Sequence, residues 1–265
     1  MNDRERGNPA PKPGEVDGAF ARGWDHYADQ AAGRGGAWPG DDWGDAGLWD
    51  AWFARLFAPH EVDRWRKAVE IGQGTGKYTQ RVLAAGCREV LAADVSERFL
   101  ELCERRQERW VKERRLHLRR IDERDPRSLP AVVHERGWTG VVDALFSIDT
   151  MVHLTWTQVV AILAASTEFL RPGGLAIFSF ADCTTETGFH KMLADVKRTL
   201  EADGDPATGC FQWVSPSLVR DTAERLGFDV LLCEPDDQHH RDGHFVGRFT
   251  DPERASSARA RMAGS

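Results

Sequence analysis

Val69-Glu70-Ile71-Gly72-Gln73-Gly74-Thr75-Gly76-Lys77-Tyr78-Thr79 sets three glycines at every second position directly after a short apolar run. Residues 68–71 read as a buried strand and residues 77–85 as a helix, so the glycines occupy a strand-loop-helix turn. Such a turn presents bare backbone N–H groups, and the missing Cβ atoms let a bulky ligand come close to the chain. The remaining segments read as layers packed around it.

The spacing separates two kinds of ligand. A dinucleotide fingerprint, G-x-G-x-x-G, needs its third glycine five residues after the first, where Lys77 stands. The sequence instead reads E-x-G-x-G-x-G, and a second apolar run, Val90-Leu91-Ala92-Ala93-Asp94, ends in an acid 18 residues after Gly76. A carboxylate at that place accepts hydrogen bonds from a ribose. Further on, Val141-Val142-Asp143-Ala144-Leu145-Phe146-Ser147-Ile148 runs into Asp149-Thr150-Met151-Val152-His153, and Leu170-Arg171-Pro172-Gly173-Gly174 precedes another apolar run. Together these stretches resemble the class I S-adenosylmethionine-dependent methyltransferases.

The resemblance implies an α/β, Rossmann-like three-layer sandwich with a seven-stranded, mostly parallel sheet and an antiparallel last strand. It implies S-adenosylmethionine as cofactor, held by Glu70, Gly72, Gln73, Gly74 and Gly76 of the loop, with Asp94 on the ribose, Val95 and Phe99 beside the adenine, and Ser147 at the end of the fourth strand. Asp122, after a third strand at 116–121, is the expected acceptor for the adenine amino group, with Asp125 as its rival. The turn after the fourth strand lies beside the transferable methyl group, which makes His153, then Asp149, the candidate catalytic bases; packing under the cofactor loop is the alternative for His153. Asp143 and the Arg-Pro-Gly-Gly turn are expected to be structural.

The chain has 265 residues and 41% hydrophobic content, enough for one domain with elaborations. Residues 1–17 read as a disordered tail, 18–66 as an N-terminal helical cap, 67–250 as the cofactor-binding domain with a lid insertion at 181–214, and 251–265 as a flexible tail. A plain surface elaboration is the alternative for 181–214. Six of the ten tryptophans precede the glycine loop. Most of these aromatics are expected to pack the cap onto the sheet; Trp24, Tyr27, Trp38 and Trp43, in less regular segments, and Trp213 near the end of the insertion are the candidates for a substrate pocket. Ser96 is positioned to cap a long helix running to residue 114.

The net charge of −7 argues against nucleic acid and anionic membrane as partners and leaves a small molecule. No apolar run approaches the roughly 20 residues of a membrane span, and residues 1–15 are polar and proline-rich, so a cytoplasmic location is expected. Five cysteines without a C-x-x-C pair give neither a disulfide framework nor a zinc site, and His239, His240 and His244 lack ligand spacing, so no metal is expected. The expected function is methyl transfer to a hydroxyl, or alternatively an amine, of a small molecule such as a specialised metabolite or sugar derivative. A cofactor-binding regulatory module without turnover and a nucleotide-dependent oxidoreductase are the competing readings. The sequence leaves the oligomeric state open.

Overall fold

The computed structural model describes residues 19–32, 38–41, 44–201, 211–236 and 241–263. The expected tail at 1–17 lies outside the described residues, as do Trp43, Cys210, His239 and His240. Helices α1 (Ala19–Ala32) and α2 (Ala46–Leu56) precede β1 (Lys67–Ile71), whose glycine loop leads into α3 (Lys77–Ala84). There follow β2 (Glu89–Asp94), α4 (Glu97–Arg106), α5 (Glu108–Lys112), β3 (Leu116–Arg120), α6 (Ser128–Glu135), β4 (Val142–Ser147) and α7 (Trp156–Phe169). The chain closes with β5 (Leu170–Asp182), α8 (Glu186–Glu201), β6 (Trp213–Val214), α9 (Pro216–Arg225), β7 (Phe228–Pro235), β8 (Asp242–Phe249) and α10 (Pro252–Ala263).

The sheet runs β3-β2-β1-β4-β5-β8-β7, parallel from β3 to β5, with β8 antiparallel to both its neighbours. The chain therefore reverses its direction of winding between β1 and β4, and the carboxyl ends of these strands open a crevice there. Central strands are buried on both faces, and their period of two sorts the side chains. Val69, Ile71, Leu91, Ala93 and Leu145 join a core under α6, α7, α9 and α10. Ala68, Val90, Ala92, Ala144 and Phe146 join a second core under α2, α3, α4 and α5. Glu70 and Asp94 fall in the second alternation, on the face that α3 and α4 cover.

Four expectations about elements are corrected. Among the described residues the sheet has eight strands, because the two residues of β6 pair with Ala181 and Asp182 at the end of β5. The helix expected to run from Ser96 to residue 114 is broken at Gln107 (φ −105°, ψ 22°), whose side chain turns inward to donate to the Thr75 and Gly76 carbonyls. Residues 251–265, expected to be flexible, form α10 over Pro252–Ala263, with Ala255 buried in the first core. Within the insertion the sequence predicts a helix over residues 189–202, and the helix found, α8, begins three residues earlier, at Glu186. Ser96 caps α4 as expected, its hydroxyl accepting from Phe99 N at 3.0 Å. Asp143 is structural: it accepts from the backbone of Arg66 and Lys67 and pairs with Arg171 at 2.7 Å.

Candidate active site

A cavity of about 810 Å³ lies along the carboxyl edge of the sheet. Glu70 and Asp94, on the same face of adjacent strands, stand at its heart. β1 and β2 pair so that Glu70 is opposite Ala92, two residues before Asp94. Glu70 is 3% exposed and accepts a hydrogen bond from the hydroxyl of Thr79, in the first turn of α3. Burial pushes its carboxyl up to about 8, with the charge of Asp94 adding and the Thr79 bond opposing. Asp94 accepts from Ser96 N (2.9 Å) and Gly74 N (3.4 Å), and burial pushes it up to about 6 against those bonds. Two desolvated carboxylates this close favour a ligand bringing a cation and hydroxyl donors.

Gly72, Gln73 and Gly74 line the cavity. Gly72 takes φ +65°, and a Cβ there would collide with the Thr150 side chain, which donates to the Gly72 carbonyl at 2.9 Å. Gly76, expected to bind the cofactor, does not line the cavity. It begins α3 with φ +86°, and a Cβ would stand 2.9 Å from Gln107 Cγ and 3.0 Å from Cys103 Sγ, so this glycine lets α3 pack on α4. Ser147 is likewise inside the sheet: fully buried, it donates to the Ile71 carbonyl at 3.0 Å and ties the end of β4 to that of β1. Val95, Phe99 and Asp122 line the cavity, and so does Asp125. Each of the two acids accepts from the backbone N–H two residues on, Arg124 for Asp122 and Arg127 for Asp125, so this loop offers both.

After β4, Asp149 adopts φ +61°, an uncommon conformation for a residue with a side chain, and leads into a 3-10 turn, Met151–His153. His153 and Asp149 both line the cavity. The His153 ring is wedged between Trp24, edge-on at 5.0 Å, and Phe211, stacked at 5.0 Å. Asp149 is committed to an ion pair with Arg241 at 3.1 Å, which competes for the lone pairs a base would use.

The cap is fastened to this edge by polar contacts. Asp25 of α1 accepts from Ser96 Oγ (2.6 Å) and Arg98 N (3.1 Å) at the start of α4, and Glu123 accepts from Ala21 N (2.7 Å) near the start of α1. Of the expected pocket aromatics, Trp24 alone lines the cavity among the described residues. Tyr27 is turned into a small cluster with Ala28, Phe99 and Leu102. Trp38 packs against that cluster and lies under the Arg106 guanidinium, while the turn after it supplies Pro39 and Gly40 to the wall. Lys77 donates to Gly40 O at 2.7 Å and holds that turn over the glycine loop. Trp213 donates to Asp195 of α8 at 3.2 Å and does not reach the cavity. From the insertion, Phe211 touches His153, and no described α8 side chain lines the cavity.

Several cavity residues were not singled out from the sequence. Trp49 and Trp52 of α2 carry the apolar signature of packing residues, and they do pack, but their rings also wall the cavity. Tyr78, Thr150, Arg241 and Asp242 line it as well. Thr79 and Tyr78 follow directly from the glycine loop, and a helical projection of α3 would have aimed them back at β1. Arg241 and Asp242 carry no sequence signal, because only the antiparallel pairing of β8 brings them to this edge. Among the described residues no group of three His, Cys, Asp or Glu side chains could hold a metal ion.

Residues 69–176 match the family model described as a methyltransferase domain. Among solved structures, the fold is similar to that of magnesium protoporphyrin IX methyltransferase from Synechocystis PCC 6803 with bound SAH (TM-score 0.55, 15% identity, 76% of this chain and 81% of that one). It is also similar to a putative sarcosine dimethylglycine methyltransferase from Galdieria sulphuraria (TM-score 0.55, 12% identity, 76% and 85%). An O-methyltransferase family protein from Burkholderia thailandensis gives a TM-score of 0.54 at 13% identity, over 72% of this chain and 53% of that one. No curated protein matches in sequence. At these identities the structural likeness is one of fold. S-adenosylmethionine is the cofactor consistent with the domain, and the residues present fit it. The buried Glu70 suits an ammonium, Asp94 a ribose, and the buried Gln73 Oε1 accepts no hydrogen bond among the described residues.

Proposed function

With a methyltransferase domain over residues 69–176 as the premise, we propose that this chain methylates a hydroxyl or an amine of a small molecule, with S-adenosylmethionine held in the cavity at the carboxyl edge of the sheet. The observation that carries the reading is the pairing of Glu70 and Asp94, buried on one face of adjacent strands, with an aromatic-walled space beyond them in the same cavity. When bound, the cofactor supplies an electrophilic methyl group on a sulfonium. Glu70 binds the ammonium and Asp94 the ribose hydroxyls. Val95, Phe99 and Ile121 flank the adenine, and Asp122 or Asp125 accepts from its amino group.

The remaining wall orients the acceptor and excludes water. In-line displacement depends mainly on holding the nucleophile opposite the methyl group, and Trp24, Trp49, Trp52 and Ile148 supply rigid apolar surface for that. His153, wedged between two rings, is fixed in orientation and is the proposed proton acceptor for a hydroxyl. Such a base contributes about 10²–10⁴-fold. Asp149, paired with Arg241, serves this reading better as a support of the turn than as the base. The small cavity and the cap latched across its rim by Asp25 and Glu123 support a specialised metabolite rather than a polymer as substrate. Of the segment 181–214, the described residue that supports a role as a lid is Phe211, stacked on His153. No described helix is long and apolar enough to cross a membrane.

The test is incubation of the purified chain with methyl-labelled S-adenosylmethionine and a panel of phenols, sugars and amines. Label transfer to one class, lost in Asp94→Ala, is expected. Absence of transfer to any acceptor despite cofactor binding would favour the regulatory module.

A further inference from the structure

The cavity has two ends. β1, β2 and β3 bring Glu70, Asp94 and Asp122 to one, which the cofactor takes up. The other is made where β4, β5 and β8 meet, and the pairing of Ala181 with Asp242 sets the first residue of β8 at the same edge as the carboxyl end of β5. Asp242 lines the cavity and is 0% exposed, and among the described residues neither of its carboxylate oxygens accepts a hydrogen bond. Tyr78, 5% exposed, lines the same space with a hydroxyl that also has no hydrogen-bond partner among the described residues.

Asp242 shares its guanidinium partner with a second acid. Arg241 is shared between Asp149 at 3.1 Å and Asp242 at 3.6 Å, with its guanidinium 4.2 Å from the Phe211 ring centre. One cation thus faces two acids. Lys77, which also lines the cavity, donates to the Gly40 carbonyl and lies over the Trp49 ring at 4.1 Å. Asp236, nearby, accepts from Trp52 Nε1 at 3.0 Å and pairs with Arg55. Burial pushes the Asp242 carboxyl up, opposed by Arg241 and reinforced by Asp149 and Asp236. A buried carboxylate with spare lone pairs is costly to a fold unless something fills them. Trp52 walls this end, and an aromatic face beside an acid favours an ammonium over a neutral or anionic group.

We propose that Asp242 is the anchor for a basic nitrogen on the methyl acceptor, with the Tyr78 hydroxyl as its second hydrogen-bonding partner, so that the substrate class is small aromatic-bearing amines protonated at neutral pH. The inference rests on the proposed function only in calling the occupant the acceptor; the preference for a cation stands on the cavity itself. The nitrogen is a binding handle whether or not it is also the atom methylated.

The experiment compares binding of 2-phenylethylamine, 2-phenylethanol and phenylacetate to the full chain by calorimetry at neutral pH, with and without S-adenosylhomocysteine. The amine is expected to bind about tenfold or more tighter than the alcohol, and phenylacetate weakest. Asp242→Asn, which keeps the shape, should remove the preference and leave the alcohol's affinity and S-adenosylhomocysteine binding unchanged. Tyr78→Phe should weaken amine binding about threefold or more. The inference is overturned if wild type binds the alcohol or phenylacetate as well as the amine, or if Asp242→Asn keeps the preference. If that variant does not fold, the wild-type series and Tyr78→Phe decide. Loss of S-adenosylhomocysteine binding in wild type with the amine preference intact would sink the methyltransferase reading alone.

Discussion

Replacing Glu70 by glutamine separates the charge of the buried acid from its shape. Burial raises the Glu70 carboxyl from 4.5 to about 8. A carboxyl with a raised folded-state pKa keeps its proton where the unfolded chain has lost it. Stability is therefore greatest below the unfolded value and falls as pH rises from 4.5 toward about 8. At pH 7 the cost is at most about 3 kcal/mol. Glutamine can still accept from Thr79 and cannot ionise. The ligand-free variant should be more stable than wild type at neutral pH, by up to about 3 kcal/mol in chemical denaturation. Cofactor binding should respond in the opposite sense. An ammonium beside Glu70 draws it into the ionised form, so at neutral pH protons should leave as the cofactor binds, up to about one per cofactor. Wild-type affinity should rise roughly tenfold from about pH 6 to 7 and level off near about 8, where the cofactor's own α-amino group begins to titrate. Asp94, pushed up to about 6, adds a smaller term of the same sign. Calorimetric titration with S-adenosylmethionine in buffers of different ionisation enthalpy measures the proton count directly. Glu70→Gln should release none and bind about tenfold or more weakly. Wild-type affinity flat from about pH 6 to 8, with no proton released, would refute the reasoning.

Three further substitutions probe separate parts of the account. Gly76→Ala forces a side chain into a left-handed conformation against Gln107 and Cys103, so about 1–3 kcal/mol of stability should be lost in denaturant melts while the folded fraction keeps its cofactor affinity. Ser96→Ala removes the α4 cap and the Asp25 contact together; a loss of about 1 kcal/mol is expected, with faster amide exchange in α1. His153→Ala should lower turnover by about 10²–10⁴-fold on a hydroxyl acceptor, with cofactor affinity within about twofold, and an unchanged rate would make His153 a packing residue between Trp24 and Phe211.

The central strands and the glycine loop were legible because local rules and tertiary environment agree there. An apolar run buried on both faces, a glycine loop and a helix start leave few other readings, and the period of two then fixes Glu70 and Asp94 on one face. Gly76 shows the limit of that reasoning: its spacing suits a ligand loop, but its positive φ serves the packing of α3 on α4. The long helix after Ser96 failed at Gln107 because the side chain found better partners in the loop carbonyls than helical backbone offers. Trp38 and Tyr27 look alike in sequence to Trp24, and only the docking of α1 on α4 decides which ring faces the cavity. Arg241 and Asp242 were invisible for a topological reason, since they enter the site by the register of an antiparallel strand late in the chain.

The most direct measurement is calorimetric titration of the wild-type chain and of Asp94→Ala with S-adenosylmethionine, S-adenosylhomocysteine and NADH. The account predicts micromolar binding of the first two by wild type, none of NADH, and loss of both in Asp94→Ala without loss of the folded state. Binding of NADH alone, or unchanged binding by Asp94→Ala, would contradict it.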